Sequence, residues 1–161
     1  MSPDAGDGSP EGFGFPRQRR LTRGAELDVV RREGKRLRTE HLEVRVLASL
    51  SSFGVTRQAL GPARVGLVVP KHRQTAVARN RVKRRLRELA RTRLLPALDA
   101  LGPATRDAAL VVRAWPQAYA ATFDALSRDV ERVGREAGRW LVRGHTERTA
   151  ADAGGEARPE G

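Results

Sequence analysis

From Thr75 to Arg93 the chain reads TAVARNRVKRRLRELARTR, and the two periodicities in this stretch constrain the fold more than any other feature. At about 100° per residue, Ala78, Val82, Leu86 and Leu89 form one apolar stripe. Asn80, Lys83, Arg84, Arg87 and Arg91 collect on the opposite side. The spacing predicts a helix with one edge in a protein core and a cationic face turned to solvent. Arg79, Arg81, Arg85 and Arg93 add to the charge, and Glu88 is the single acid.

Solvated helix faces usually mix signs, with Glu placed to pair with Lys or Arg at i,i+4. This one hardly does. Like charges on neighbouring turns destabilise an isolated helix by a few tenths of a kcal/mol per pair, so the pattern points to an anionic partner. Nucleic acid is the first reading, a membrane surface and a merely solvated face the others. The stripe of Ala, Val and Leu, without Trp or Phe to sit at an interface, argues against the membrane.

The formal net charge is +12. Asp4, Asp7 and Glu11 precede the first Arg, and Glu147, Asp152, Glu156 and Glu160 outnumber the bases after Val142, so the positive excess belongs to the middle of the chain. There is no Cys, which excludes disulfides, thiolate catalysis and cysteine-based metal sites. His41, His72 and His145 show no HExxH spacing, and no metal bound by this chain alone is expected. The opening residues lack a charged segment followed by an apolar one, and no long apolar run occurs, so a cytoplasmic location is expected.

Residues 1–16 and 143–161, rich in Gly, Pro and small polar residues, read as disordered tails around one domain at 17–142. Thr22 is the expected N-cap of a short helix that carries Leu27 and Val30 on one side and ends at Gly34. Leu42, Val44 and Val46 alternate with Glu43 and Arg45 as in a half-buried strand. Ser49 to Pro62 reads as a connection, Arg64 to Val69 as a buried strand closed by Pro70. The basic helix should run to Leu95 and beyond, with a break or kink at Pro96 and a stop at Gly102-Pro103. Ala108 to Val112 is strand-like, Trp115-Pro116 a turn, and Phe123, Leu126, Val130 and Val133 mark a last amphipathic helix that reaches about Arg139.

The segment VGLVVPKHRQTAVARNRVKRRLRE, centred on Arg79-Asn80-Arg81, closely resembles the signature of the bacterial ribonuclease P protein subunit. RLTRGAELDVVRREGKRLRTEHLEVRVL resembles that family's first helix and following strands, and ALVVRAWPQAYAATFDAL its last strand, turn and helix. The resemblance implies an α+β fold, a single-domain α/β sandwich of αβββαβα order. Its sheet of about four strands carries the basic helix on an unusual left-handed βαβ crossover, a fold type shared with a ribosomal protein domain. It also implies a role: completing a ribonucleoprotein endonuclease that removes the 5′ leader from precursor tRNA. In that family the RNA subunit binds most of the Mg²⁺ and performs the hydrolysis, so no catalytic residue is expected in the protein.

Carried over by position, Arg79, Asn80, Arg81, Lys83, Arg84, Arg87 and Arg91 are expected to contact the catalytic RNA. Lys71 and His72, with Leu27, Arg31 and Arg45, match positions that bind the single-stranded leader. The last three depart from the family, which places aromatic rings there for stacking on bases. Arg planes can both stack on bases and bind phosphate, so a cleft richer in Arg should bind RNA with more salt dependence and less stacking. Gln74 stands where the family usually has a glycine, which leaves the loop before the helix open. The expected partners are the catalytic RNA and the precursor tRNA leader, with no membrane and no obligate protein partner. The rival reading is a ribosomal or RNA-chaperone protein with no part in cleavage.

Overall fold

The computed structural model describes residues 15–55 and 61–157. Its elements are α1 (Gly24–Glu33), β1 (Lys35–Arg38), β2 (Leu42–Leu47), β3 (Arg64–Val68), α2 (Ala76–Leu89), α3 (Leu95–Asp99), β4 (Ala109–Ala114) and α4 (Phe123–Ala157). A π-helical turn, Ala90–Leu94, joins α2 to α3, and 3-10 turns precede α1 and follow β2, α3 and β4. The strands form one sheet in the order β1-β2-β4-β3, with β3 and β4 parallel and the other neighbours antiparallel. The expected αβββαβα order is present, with the π-helical turn and α3 as additions inside the crossover.

The sheet has a different core on each face. Leu42, Val44, Val46, Val65, Leu110 and Val112 pack with Val82, Leu86 and Leu89 of α2 and with Leu126, Val130 and Val133 of α4. On the reverse face a smaller cluster joins Leu47, Ala109 and Val111 to Leu21, Val29 and Val30. A β-strand sends successive side chains to opposite faces, which is why the alternation seen in β2 sorts its residues between these layers. Gly66 lets the chain before α1 approach β3. A Cβ there would stand 2.8 Å from the Leu21 carbonyl oxygen and 2.7 Å from Leu27 Cδ2.

Several boundaries differ from the sequence reading. Arg23, not Thr22, is the N-cap of α1, and no side chain caps it. The chain widens into the π-helical turn before Pro96, which then sits in the first turn of α3, so the helix is interrupted where the missing N–H of Pro96 would break its regular ladder. Phe123 opens α4 but is exposed, while Leu126, Val130 and Val133 are buried as expected. α4 continues to Ala157, well past Arg139 and through most of the stretch expected to be a tail. At the other end Phe15 is buried in the larger core, so the domain begins before residue 17, and residues 1–14 of the expected tail lie outside the described residues.

Candidate nucleic-acid interface

α2 is two-sided in the expected sense. Val82, Leu86 and Leu89 are buried and Ala78 partly so, while Asn80, Arg81, Arg84 and Arg87 are exposed. The Thr75 hydroxyl accepts the Ala78 N–H at 3.1 Å and caps the helix. Not every cation is equally available. Arg79 donates from Nε to the Val69 carbonyl at 2.7 Å, and Arg85 reaches the Ala121 carbonyl at 3.1 Å. Arg91 pairs with Glu88 at 2.6 Å. Lys83 is held below its ordinary pKa by burial and by the positive charges of Arg79 and Arg87, one turn to either side.

The approach to α2 is a tight turn. Gln74 N–H donates to the Lys71 carbonyl at 2.8 Å, with φ of 46° at His72 and 62° at Arg73. The left-handed conformation falls on these two residues and not on Gln74. His72 Nε2 lies 3.3 Å from the Ala114 carbonyl oxygen, and its ring meets Tyr119 edge-on. The Tyr119 hydroxyl donates to the Pro70 carbonyl, so the turn is braced from both sides.

On the opposite face of the sheet a cleft of about 460 Å³ opens between α1 and the strands. Arg31 and Arg45 line it as expected, and so do Arg32, Arg113, Asp28 and Glu43, which sequence reasoning did not assign. Sheet register puts the new residues there: Arg38, Glu43, Arg113 and Val68 form one cross-sheet row, and Arg36, Arg45, Val111 and Gly66 the next. The signal available in the sequence was the polar face of β2, whose Glu43 pairs across strands with Arg113. Glu43 accepts from Arg36 at 3.0 Å and from Arg45 at 3.4 Å, so this acid orients two guanidinium groups. Arg113 Nε is buried without a hydrogen-bond partner among the described residues. Leu27 is partly buried against the smaller core, over Gly66, and like Lys71 and His72 it is not part of the cleft lining.

Two faces thus carry exposed or cleft-lining cations, and the turn at Lys71 to Gln74 connects them around the end of β3. The family model for Ribonuclease P matches residues 15–138. The chain belongs to the ribonuclease P protein family.

Among relatives, the "Ribonuclease P protein component" of Nocardioides sp. is 41% identical over 115 residues, covering 70% of this chain and 86% of that protein. The protein of the same name from Mycolicibacterium paratuberculosis is 36% identical over 121 residues, covering 75% and 92%. In fold, this ribonuclease P protein is similar to the RNase P protein of Staphylococcus aureus, with a TM-score of 0.56 at 19% identity over 74% of this chain and 94% of that one. It is also similar to that of Thermotoga maritima, with a TM-score of 0.52 at 21% identity over 74% and 96%.

The membrane reading of α2 loses its physical basis here, because the apolar stripe is already covered by the protein's own core. Among the described residues, no helix is long and apolar enough to cross a membrane. Nor does any group of three or more His, Asp or Glu side chains among them form a metal-holding cluster.

Proposed function

We propose that this chain is the protein subunit of the endonuclease that removes 5′ leaders from precursor tRNA, with separate surfaces for the catalytic RNA and for the leader. The exposed face of α2, with Asn80, Arg81, Lys83, Arg84 and Arg87 and with Arg79 and Arg91 at its margins, docks on folded RNA. The cleft lined by Arg31, Arg45 and Arg113 holds the single-stranded leader, with Lys71 and His72 at its exit toward α2. Leu27, partly buried beside it, supports the cleft wall.

The observation that carries the reading is the division of α2, whose apolar edge is committed to the core while its cationic face meets only one acid of its own, Glu88, among the described residues. Neutralising phosphates with this face would let the RNA fold and hold Mg²⁺ at lower ionic strength. In this reading the RNA binds most of the Mg²⁺ and performs the hydrolysis, and the protein contributes position and charge. The test adds the purified chain to its cognate catalytic RNA and a 5′-extended precursor tRNA at limiting Mg²⁺. Stimulated cleavage is expected. Unchanged cleavage with retained RNA binding would leave the RNA-chaperone reading in its place.

A further inference from the structure

We propose that Arg38 and Trp115 form a nucleobase-stacking platform at the end of the cleft, where one unpaired base of the leader is held. The inference rests on the leader reading of the cleft and adds a site outside its lining.

Arg38 and Arg113 belong to the same cross-sheet row, so Arg38 stands on the cleft side of the sheet at its β1 edge. Its guanidinium carbon lies 5.3 Å from the centre of the Trp115 ring. Trp115 directly follows β4, is partly exposed, and extends the pairing of β4 with β2 by donating its N–H to the His41 carbonyl at 2.9 Å. The platform therefore continues the strip of arginines that begins inside the cleft, on the side where Lys71 and His72 lead toward α2.

The support beneath it is rigid. Asp129 of α4 accepts from the Thr39 hydroxyl at 2.7 Å and the His41 N–H at 3.0 Å, and contacts His41 Nδ1 at 2.8 Å. Three bonds to one carboxylate thus fix the β1–β2 turn, and with it both the strand end that carries Arg38 and the carbonyl that holds Trp115. A surface Arg–Trp contact would need no such anchoring. An indole and a guanidinium plane are both groups on which unpaired bases stack, and the cation can also meet the flanking phosphate. Of the other described rings, Phe15 is buried, Trp140 packs on the larger core and Tyr119 braces Pro70 and His72, while Phe53 and Phe123 are exposed but do not line the cleft.

The test uses the full chain with Trp140→Phe, which leaves Trp115 as its sole indole. Short single-stranded oligouridine is titrated in, with Trp115 emission and the anisotropy of a labelled oligomer read in parallel. Binding should change Trp115 emission, and Trp115→Ala should weaken affinity by about 5-fold or more, whereas Trp115→Phe keeps most of it. An oligomer of abasic residues should bind wild type and Trp115→Ala alike. If the oligomer binds in an Arg45-dependent way while Trp115 emission stays constant and neither Trp115→Ala nor removal of the bases changes affinity, the platform is wrong and the cleft reading stands. Binding that ignores Arg31→Ala and Arg45→Ala overturns both. Should Trp115→Ala not fold, the emission and abasic measurements still decide.

Discussion

The face of α2 and the cleft under α1 are both rich in arginine, yet they hold their charge in opposite ways. On α2 the cations crowd one another, with Lys83 flanked by Arg79 and Arg87 and with Glu88 as the helix's own counter-charge. In the cleft, Asp28 and Glu43 are interleaved with the arginines, and Glu43 binds Arg45 of the lining and the neighbouring Arg36. The helix face is a field of repulsion that phosphates relieve. The cleft is partly neutralised in advance, with Arg45 held by Glu43 before any ligand arrives, so the RNA contacts proposed for it should release fewer counterions and depend more on shape and stacking.

The largest effects should come from the buried anchors, which differ in kind. Under the cleft, Glu26 is buried and pairs with Arg64 at 3.3 Å, tying α1 to β3. Glu26→Ala leaves a buried guanidinium without this partner and should destabilise the domain by about 3–5 kcal/mol. Under α2, Leu86→Ala should cost about 2–5 kcal/mol through reduced burial and the cavity left behind. Urea unfolding measures both. A loss below about 1 kcal/mol for Leu86→Ala would mean that the helix does not depend on that edge.

The next contrast is electrostatic. Combined replacement of Arg81, Arg84 and Arg87 by Ala should reduce the slope of log affinity for the catalytic RNA against log salt by about 0.7–0.9 for each phosphate no longer neutralised. These three are better choices than Arg79, whose Nε is also bonded to the Val69 carbonyl. Arg31→Ala and Arg45→Ala should instead weaken binding of leader-bearing precursor while leaving mature tRNA unaffected, with a smaller change in slope. Equal slope changes from the two sets would erase the distinction between the surfaces.

The same contrast explains what could be read from the sequence. α2 was legible because both of its faces lie on one helix, where a single period sorts Val82, Leu86 and Leu89 from Arg84 and Arg87. The cleft was legible only in part. Arg31 and Arg45 came from family resemblance, but Arg113 joins them through cross-strand pairing with Glu43, which no local pattern encodes. β1 consists of Lys35, Arg36, Leu37 and Arg38, too charged to show alternation, and exists because it pairs with β2. The far end of α4 carries Gly144, Gly154 and Gly155 and no sustained apolar stripe, so its composition resembled a tail. Phe15 was hidden by its Gly- and Pro-rich neighbours, although burial in the larger core now accounts for it.

The smallest effect reads the burial of Lys83 together with the repulsion it meets on α2. Because the pKa of Lys83 is lowered in the folded protein, the unfolded chain binds more protons between that value and the ordinary 10.5. Stability should therefore rise with pH across this alkaline window, and the penalty should be fully present below it. Lys83→Gln removes two like-charge neighbours at i,i+4 spacing, each worth about 0.2–0.5 kcal/mol, so the free protein should become slightly more stable near neutral pH and lose that part of the alkaline rise. RNA binding should show the reverse dependence: phosphates restore the charged form of Lys83, complex formation takes up a proton in the same window, and affinity falls as pH climbs through it. Paired urea and RNA titrations of wild type and Lys83→Gln separate these terms. If the variant is less stable at neutral pH, Lys83 supports the fold and the cost of crowding on α2 has been assigned to the wrong residue.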